Sequence, residues 1–232
     1  HSLGANIAVY FANRYPQRVK KLVLMDGGID VRAEIFDSLG PAVSRVGMEF
    51  PSMEMFLQIL QSLPMFAGRW NDDLERYFRY DVEVTAAGTV KPKAAKHAIE
   101  EEVANFARER FWIYHHRITC PTLILRAPDG LLTETDCLMT QEEAEALAYA
   151  IPGAKLVVIP NTNHYTVLLG RHEKTRQAVR SFLKSDIALP ETSSLRDALA
   201  AWRVAGGPDP AFADDLERVN AADRPPGNAW AL

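Results

Sequence analysis

The sequence predicts an α/β fold: a parallel sheet flanked by helices, with a helical cap inserted between two of its strands. Three observations predict it. The apolar runs at 20–25, 121–127 and 154–159 have strand length and do not alternate, as strands buried on both faces do. Helical patterns at 4–15, 140–150 and 171–184 alternate with them, which crossover connections in a parallel sheet require. Between the first two strands, residues 29–118 show helical periodicity and no strand pattern.

The elements follow in order. The first helix, 4–15, carries small residues at Gly4, Ala8 and Ala12, a row expected to lie close against the sheet with Ile7 and Phe11 on its flanks. Pro16 ends it, and the strand at 20–25 runs into Asp26. The insertion is rich in Met, Leu and Phe at 48–66 and helical at 72–80 and 94–115. It is expected to cover the carboxyl ends of the strands, where open α/β sheets bind ligands, with most of its apolar side chains packing and a few facing the cleft. After the strand at 121–127, Thr140 and Glu143 form a capping box at the start of the next helix. The strand at 154–159 and the helix at 171–184 complete the domain, whose expected extent is 1–186.

Residues 187–232 differ in character. They hold seven acidic and four basic residues, and Pro190, Gly206-Gly207-Pro208 and Pro225-Pro226-Gly227 break up two short helical patterns at 194–204 and 209–222. Neither has enough apolar surface to fold alone, so the segment is expected to be an acidic helical tail.

Composition narrows the function classes. The 232 residues carry a net charge of −4 with no basic stripe, which argues against a nucleic-acid partner. No apolar run is long enough to span a bilayer, so no membrane partner is expected. The two cysteines, Cys120 and Cys137, show no metal spacing with any histidine; no metal or other cofactor is expected, and a reduced, cytoplasmic setting is the simplest.

The residues that carry chemistry begin with Ser2, directly before the first helix. A serine at a tight strand-to-helix turn exposes its Oγ, and the helix N-terminus behind it offers free N–H groups to an oxyanion, Leu3 first among them. Serine is a poor nucleophile near neutral pH and needs a base. Of His1, His97, His115, His116, His164 and His172, only His164 lies just past a parallel strand, so that it projects from the same sheet edge as Ser2. An acid that fixes the histidine tautomer is placed first at Asp129, with Asp136 next and Asp26 after it; each follows a strand or lies in the loop beyond one.

The order serine, acid, histidine, the run from Ser2 to Asp26, and the segments Pro121–Gly130 and Pro160–Thr166 together resemble the α/β-hydrolase superfamily over 1–186. With a glycine before His1 the opening would read G-H-S-L-G, the nucleophile elbow of that superfamily. The resemblance implies Ser2 as nucleophile, His164 as base, Asp129 as acid and a helical lid at 29–118. It departs from the pattern in two respects, the acid loop and the segments ahead of the elbow: Asp129 follows Arg126-Ala127-Pro128 without the usual glycine, which keeps Asp136 in play. The superfamily's first strands, its nucleophile strand and its second oxyanion donor precede the elbow, which implies a partial α/β-hydrolase fold with N-terminal strands absent. Little activity and some self-association are expected of such a fragment. The tail is weakly similar to the C-terminal ends of type II antitoxins, which implies a protein-binding extension anchored by Phe212, Leu216, Val219 and Trp230, with Asp214, Asp215 and Glu217 meeting basic groups.

The expected function is hydrolysis of ester or related acyl bonds in a small-molecule acyl substrate, through an acyl-enzyme on Ser2. The alternative is a non-catalytic small-molecule or protein-binding module on a hydrolase scaffold.

Overall fold

The computed structural model describes residues 1–32, 35, 43–106, 108–133 and 135–185. The tail at 187–232, with its helical patterns, its antitoxin likeness and its proposed anchors, lies outside the described residues.

The helix α1 (Leu3–Arg14) is followed by a 3₁₀ turn at Pro16–Arg18 and the strand β1 (Leu22–Met25). Much further along come β4 (Thr122–Arg126), α6 (Gln141–Ala150), β5 (Lys155–Val158), the short α7 (Thr166–Leu169) and α8 (Glu173–Lys184). The three strands form one parallel sheet in the order β1-β4-β5, with Leu22 opposite Thr122 and Leu123 opposite Lys155. Every residue of the central strand β4 is buried. Among the described residues no strand pairs with the outer edge of β1.

The period-two alternation of strands sorts the apolar residues onto two faces. Leu22, Leu24 and Ile124 pack with Val9 and Ala12 of α1 and Leu147 of α6, whereas Leu123 and Leu125 pack with Val167 of α7 and Phe182 of α8. The capping box at Thr140 and Glu143 forms as the sequence predicts. Lys21, just ahead of β1, reaches the last carbonyls of α8 at Phe182 and Leu183, 2.9 Å from each, where a cation meets the negative end of the helix.

The buried stripe of α1 differs from the expected one. Ala5, Asn6, Val9 and Ala12 face inward, while Gly4 and Ile7 are exposed and Phe11 lies partly covered beside Tyr15 and Arg18. Ala12 is buried as expected, but Ala5 and Val9 take the places expected of Gly4 and Ala8, and Asn6 is drawn inward. It donates to Ile29 O at 2.8 Å and accepts from the Gly28 N–H at 2.9 Å, so a polar residue occupies a contact that an apolar reading assigns elsewhere.

The segment between β1 and β4 contains α2 (Met53–Gln61), α3 (Asp72–Asp81), α4 (Lys96–Phe106) and α5 (Trp112–His115). It is not wholly helical. β2 (Val82–Val84) and β3 (Val90–Pro92) form an antiparallel hairpin, and Phe50 bridges to Val90. Three-residue strands leave too short an alternation to stand out in the sequence. The segment has its own core of Phe56, Leu60, Phe66, Leu74 and Phe78, which extends to Leu131 and Tyr165 from the sheet's loops. No helix among the described residues is long and apolar enough to cross a membrane.

Candidate active site

Ser2 occupies the turn into α1 with φ 55° and ψ −132°, a left-handed conformation that a non-glycine residue adopts only where the surroundings enforce it. Its own N–H donates to Met25 O at 3.2 Å, and its carbonyl accepts the Ala5 N–H at 2.8 Å, so strand end and helix start hold the turn from both sides. Leu3 is the first residue of α1, where the N–H has no intrahelical acceptor.

His164 follows β5 in a loop that precedes α7, and it is buried. Its Nε2 lies 2.9 Å from Ser2 Oγ, and its Nδ1 lies 2.9 Å from Oδ2 of Asp26. Asp26 is the residue directly after β1, is fully buried, and also has a positive φ of 45°. Its second oxygen accepts the Ala127 N–H at 3.1 Å. An acceptor-only carboxylate at Nδ1 requires the proton there, which leaves the Nε2 lone pair aimed at the serine hydroxyl. Serine, imidazole and carboxylate thus form one continuous hydrogen-bonded line.

The chain shares this architecture with known proteins. It superposes on an E-2-(acetamidomethylene)succinate hydrolase with a TM-score of 0.66 and 22% identity over 80% of this chain and 65% of that one. An α/β hydrolase from Novosphingobium aromaticivorans matches at TM-score 0.60 with 22% identity, over 79% and 63% of the two chains. The enol-lactonase from Burkholderia xenovorans matches at 0.54 with 16% identity, over 79% and 64%. The chain has the α/β-hydrolase fold. It spans about two thirds or less of the length of these structures. No protein-family model matches it, nor does any curated protein sequence.

Within this α/β-hydrolase fold, the structure brings together Ser2 and His164, with Leu3 beside them in the turn, but not Asp129. That carboxylate, expected against the histidine, lies 2.7 Å from Nη2 of Arg69. Its backbone explains the placement: the Asp129 N–H is tied to Thr162 O at 2.9 Å, and the side chain turns toward the guanidinium of the inserted segment. Asp136 is committed elsewhere, accepting the N–H groups of Leu131, Leu132 and Thr133 at 2.8 to 3.0 Å and so shaping the loop after β4. Asp26, ranked last of the three from sequence, is the carboxylate that meets the imidazole. The signal was its position directly after a strand that pairs with β4.

Two other participants carry little sequence signal. His1, which the motif treats as a variable position, places its Nε2 2.6 Å from the His164 carbonyl oxygen and stacks on the His164 ring. Asn163 is buried beside the histidine; its Oδ1 accepts the N–H groups of Tyr165 and Thr166 and the Thr166 hydroxyl, and its Nδ2 donates to Met65 O at 2.7 Å. The loop that carries His164 is thereby tied to the inserted segment, and Tyr165 adds an edge-on contact to Phe66 at 5.1 Å between ring centroids. The Asn-x-x-Thr spacing at 163–166, with Thr166 Oγ1 accepting the Asn163 N–H in return at 2.9 Å, is the one local pattern that marks this turn. A cavity of about 370 Å³ lies alongside, lined by Met65, Arg69, Asp129, Leu131 and Asn163 among others.

Of the remaining histidines, His115 is buried in α5 and donates from Nε2 to Gly28 O at 2.7 Å; burial pushes its pKa down to about 4. His97 lies in α4 and His172 directly before α8.

Proposed function

We propose that the protein hydrolyses ester or related acyl bonds of small molecules, with Ser2 as nucleophile, His164 as general base and acid, and Asp26 as the carboxylate that orients the imidazole. The observation that carries this is the Ser2–His164–Asp26 line with both hydrogen bonds at 2.9 Å. The positive φ of Ser2 supports it, since such strain at an exposed turn serves presentation of the Oγ.

In this scheme Ser2 Oγ attacks the acyl carbon while its proton passes to His164 Nε2. The imidazolium is stabilised by the Asp26 carboxylate at Nδ1. The negative charge on the carbonyl oxygen falls to the Leu3 N–H at the start of α1. Collapse expels the alcohol or equivalent leaving group, which takes the proton from Nε2, and an acyl ester remains on Ser2. Water then attacks that ester, delivers a proton to Nε2, and the second collapse returns the proton to Ser2 Oγ as the carboxylic acid departs. The inserted segment serves as a cap over this site, with the cavity beside Asn163 as a place for part of the substrate. Two structural neighbours, a hydrolase of a succinate derivative and an enol-lactonase, act in keeping with acyl chemistry.

The test is fluorophosphonate labelling of the native full-length protein beside its Ser2→Ala and His164→Ala forms. Labelling is expected in the wild type alone; equal labelling of all three would remove the assignment.

A further inference from the structure

We propose that His1 is a positioning residue for the base: one side chain fixes both the backbone and the ring plane of His164. This rests on the triad described above. The His1 Nε2 lies 2.6 Å from the carbonyl oxygen of His164. A carbonyl only accepts, so Nε2 carries the proton and His1 donates. The same ring lies against the His164 ring with centroids 4.5 Å apart and planes 29° from parallel. The two contacts restrain different motions. The hydrogen bond holds the backbone of residue 164, and the stack resists rotation of the imidazole about its own side-chain bond.

The position of His1 in the chain makes the restraint specific to the reaction. It is bonded directly to Ser2, so the nucleophile and the carbonyl of the base are referred to one rigid turn, itself fixed by the Ser2 N–H on Met25 O. Asp26 at Nδ1 and Ser2 Oγ at Nε2 hold the two nitrogens of the imidazole, and hydrogen bonds to those ring edges restrain tilting of the ring plane about the line between them only weakly. His1 blocks that tilt from the face. Small displacements of a reacting group are costly, with about 1 Å of misplacement lowering a rate by about 100-fold.

The test uses a fluorophosphonate probe on the native full-length protein, separating the maximal inactivation rate from the probe's half-saturating concentration. His1→Ala is expected to lower the maximal rate about tenfold or more while the half-saturating concentration stays within about twofold, a split that loss of general packing would not produce. His1→Phe keeps a ring without the donor, His1→Asn keeps a donor without the ring, and each is expected to recover part of the rate. Thermal melting of every variant accompanies the rates. A maximal rate for His1→Ala within twofold of wild type would overturn the proposal, as would losses in all three variants that track only their loss of folded protein. If Ser2→Ala labels as wild type does, the triad itself is refuted and the role of His1 falls with it; labelling lost in Ser2→Ala but unchanged in His1→Ala refutes His1 alone.

Discussion

Asp26 Oδ2 meets His164 Nδ1 at 2.9 Å across 138 positions of sequence, and both residues are buried. The other Asp26 oxygen is held by the Ala127 N–H, so the imidazole is the partner that compensates the carboxylate on its remaining side. Removing the imidazole leaves a buried carboxylate oxygen without its hydrogen-bond donor, which costs about 1–3 kcal/mol. His164→Ala is therefore expected to destabilise the protein by roughly that amount in urea titration, and adding Asp26→Asn should restore part of it. A His164→Ala variant as stable as wild type would show that the pair carries no such coupling.

Gly27 follows the acid and touches the elbow. A Cβ at this position would stand 2.8 Å from Ser2 O, 3.2 Å from Ser2 Cα and 3.1 Å from Ala5 Cβ. The backbone would have to give way, at about 1–3 kcal/mol, and the serine would move with it. Gly27→Ala is expected to lower the labelling rate at Ser2 by about 100-fold while the protein remains folded by circular dichroism. An unchanged rate would mean that the turn relaxes without moving Oγ.

Asn163 joins the histidine loop to the inserted segment through one buried amide. Asn163→Ala strips partners from Met65 O and from the N–H groups of Tyr165 and Thr166, and is expected to cost about 2–4 kcal/mol by denaturant titration. Asn163→Asp keeps the acceptor for those two N–H groups but replaces the donor to Met65 O. It should therefore fall between wild type and Asn163→Ala, and a variant less stable than Asn163→Ala would mean that the Met65 contact outweighs the two N–H groups.

His115 makes stability depend on pH. Its folded pKa lies near 4 against an ordinary 6.5, chiefly through burial, with the Gly28 hydrogen bond opposing and His116 reinforcing the shift. Between those values the unfolded chain binds a proton that the folded one refuses, so stability is fully present above pH 6.5 and is lost as pH falls toward 4. The loss attributable to this group is on the order of 3 kcal/mol. Urea titrations at pH 7, 6, 5 and 4 are expected to show it, and His115→Gln should flatten the slope over that window. An equally steep slope in the variant would assign the effect to other groups.

The sheet was legible because its central strand is buried on both faces, and the run Leu123-Ile124-Leu125 carries that burial openly. β1 is buried at alternate residues and β5 only partly, so full burial of all three strands is not what the structure shows. Ser2 and His164 were legible because a strand end fixes where a side chain projects. The acid was harder to read. Asp26 and Asp129 both stand just past neighbouring parallel strands, and what separates them is a tertiary contact, the capture of Asp129 by Arg69, sixty positions earlier in the inserted segment. The hairpin of β2 and β3 was hidden by its brevity, and the α1 face was misread because Asn6 uses a buried position for hydrogen bonds rather than for apolar contact.

The most direct test is the rate of phosphonylation at Ser2, followed by intact-protein and peptide mass spectrometry, in wild type, Asp26→Asn and Asp129→Asn. If Asp26 orients the base, Asp26→Asn should slow the reaction by about 10³- to 10⁴-fold, while Asp129→Asn, which loses only a partly exposed ion pair to Arg69, should stay within a few-fold of wild type. A large loss in Asp129→Asn with Asp26→Asn near wild type, or an adduct mapped to a serine other than Ser2, would contradict the account.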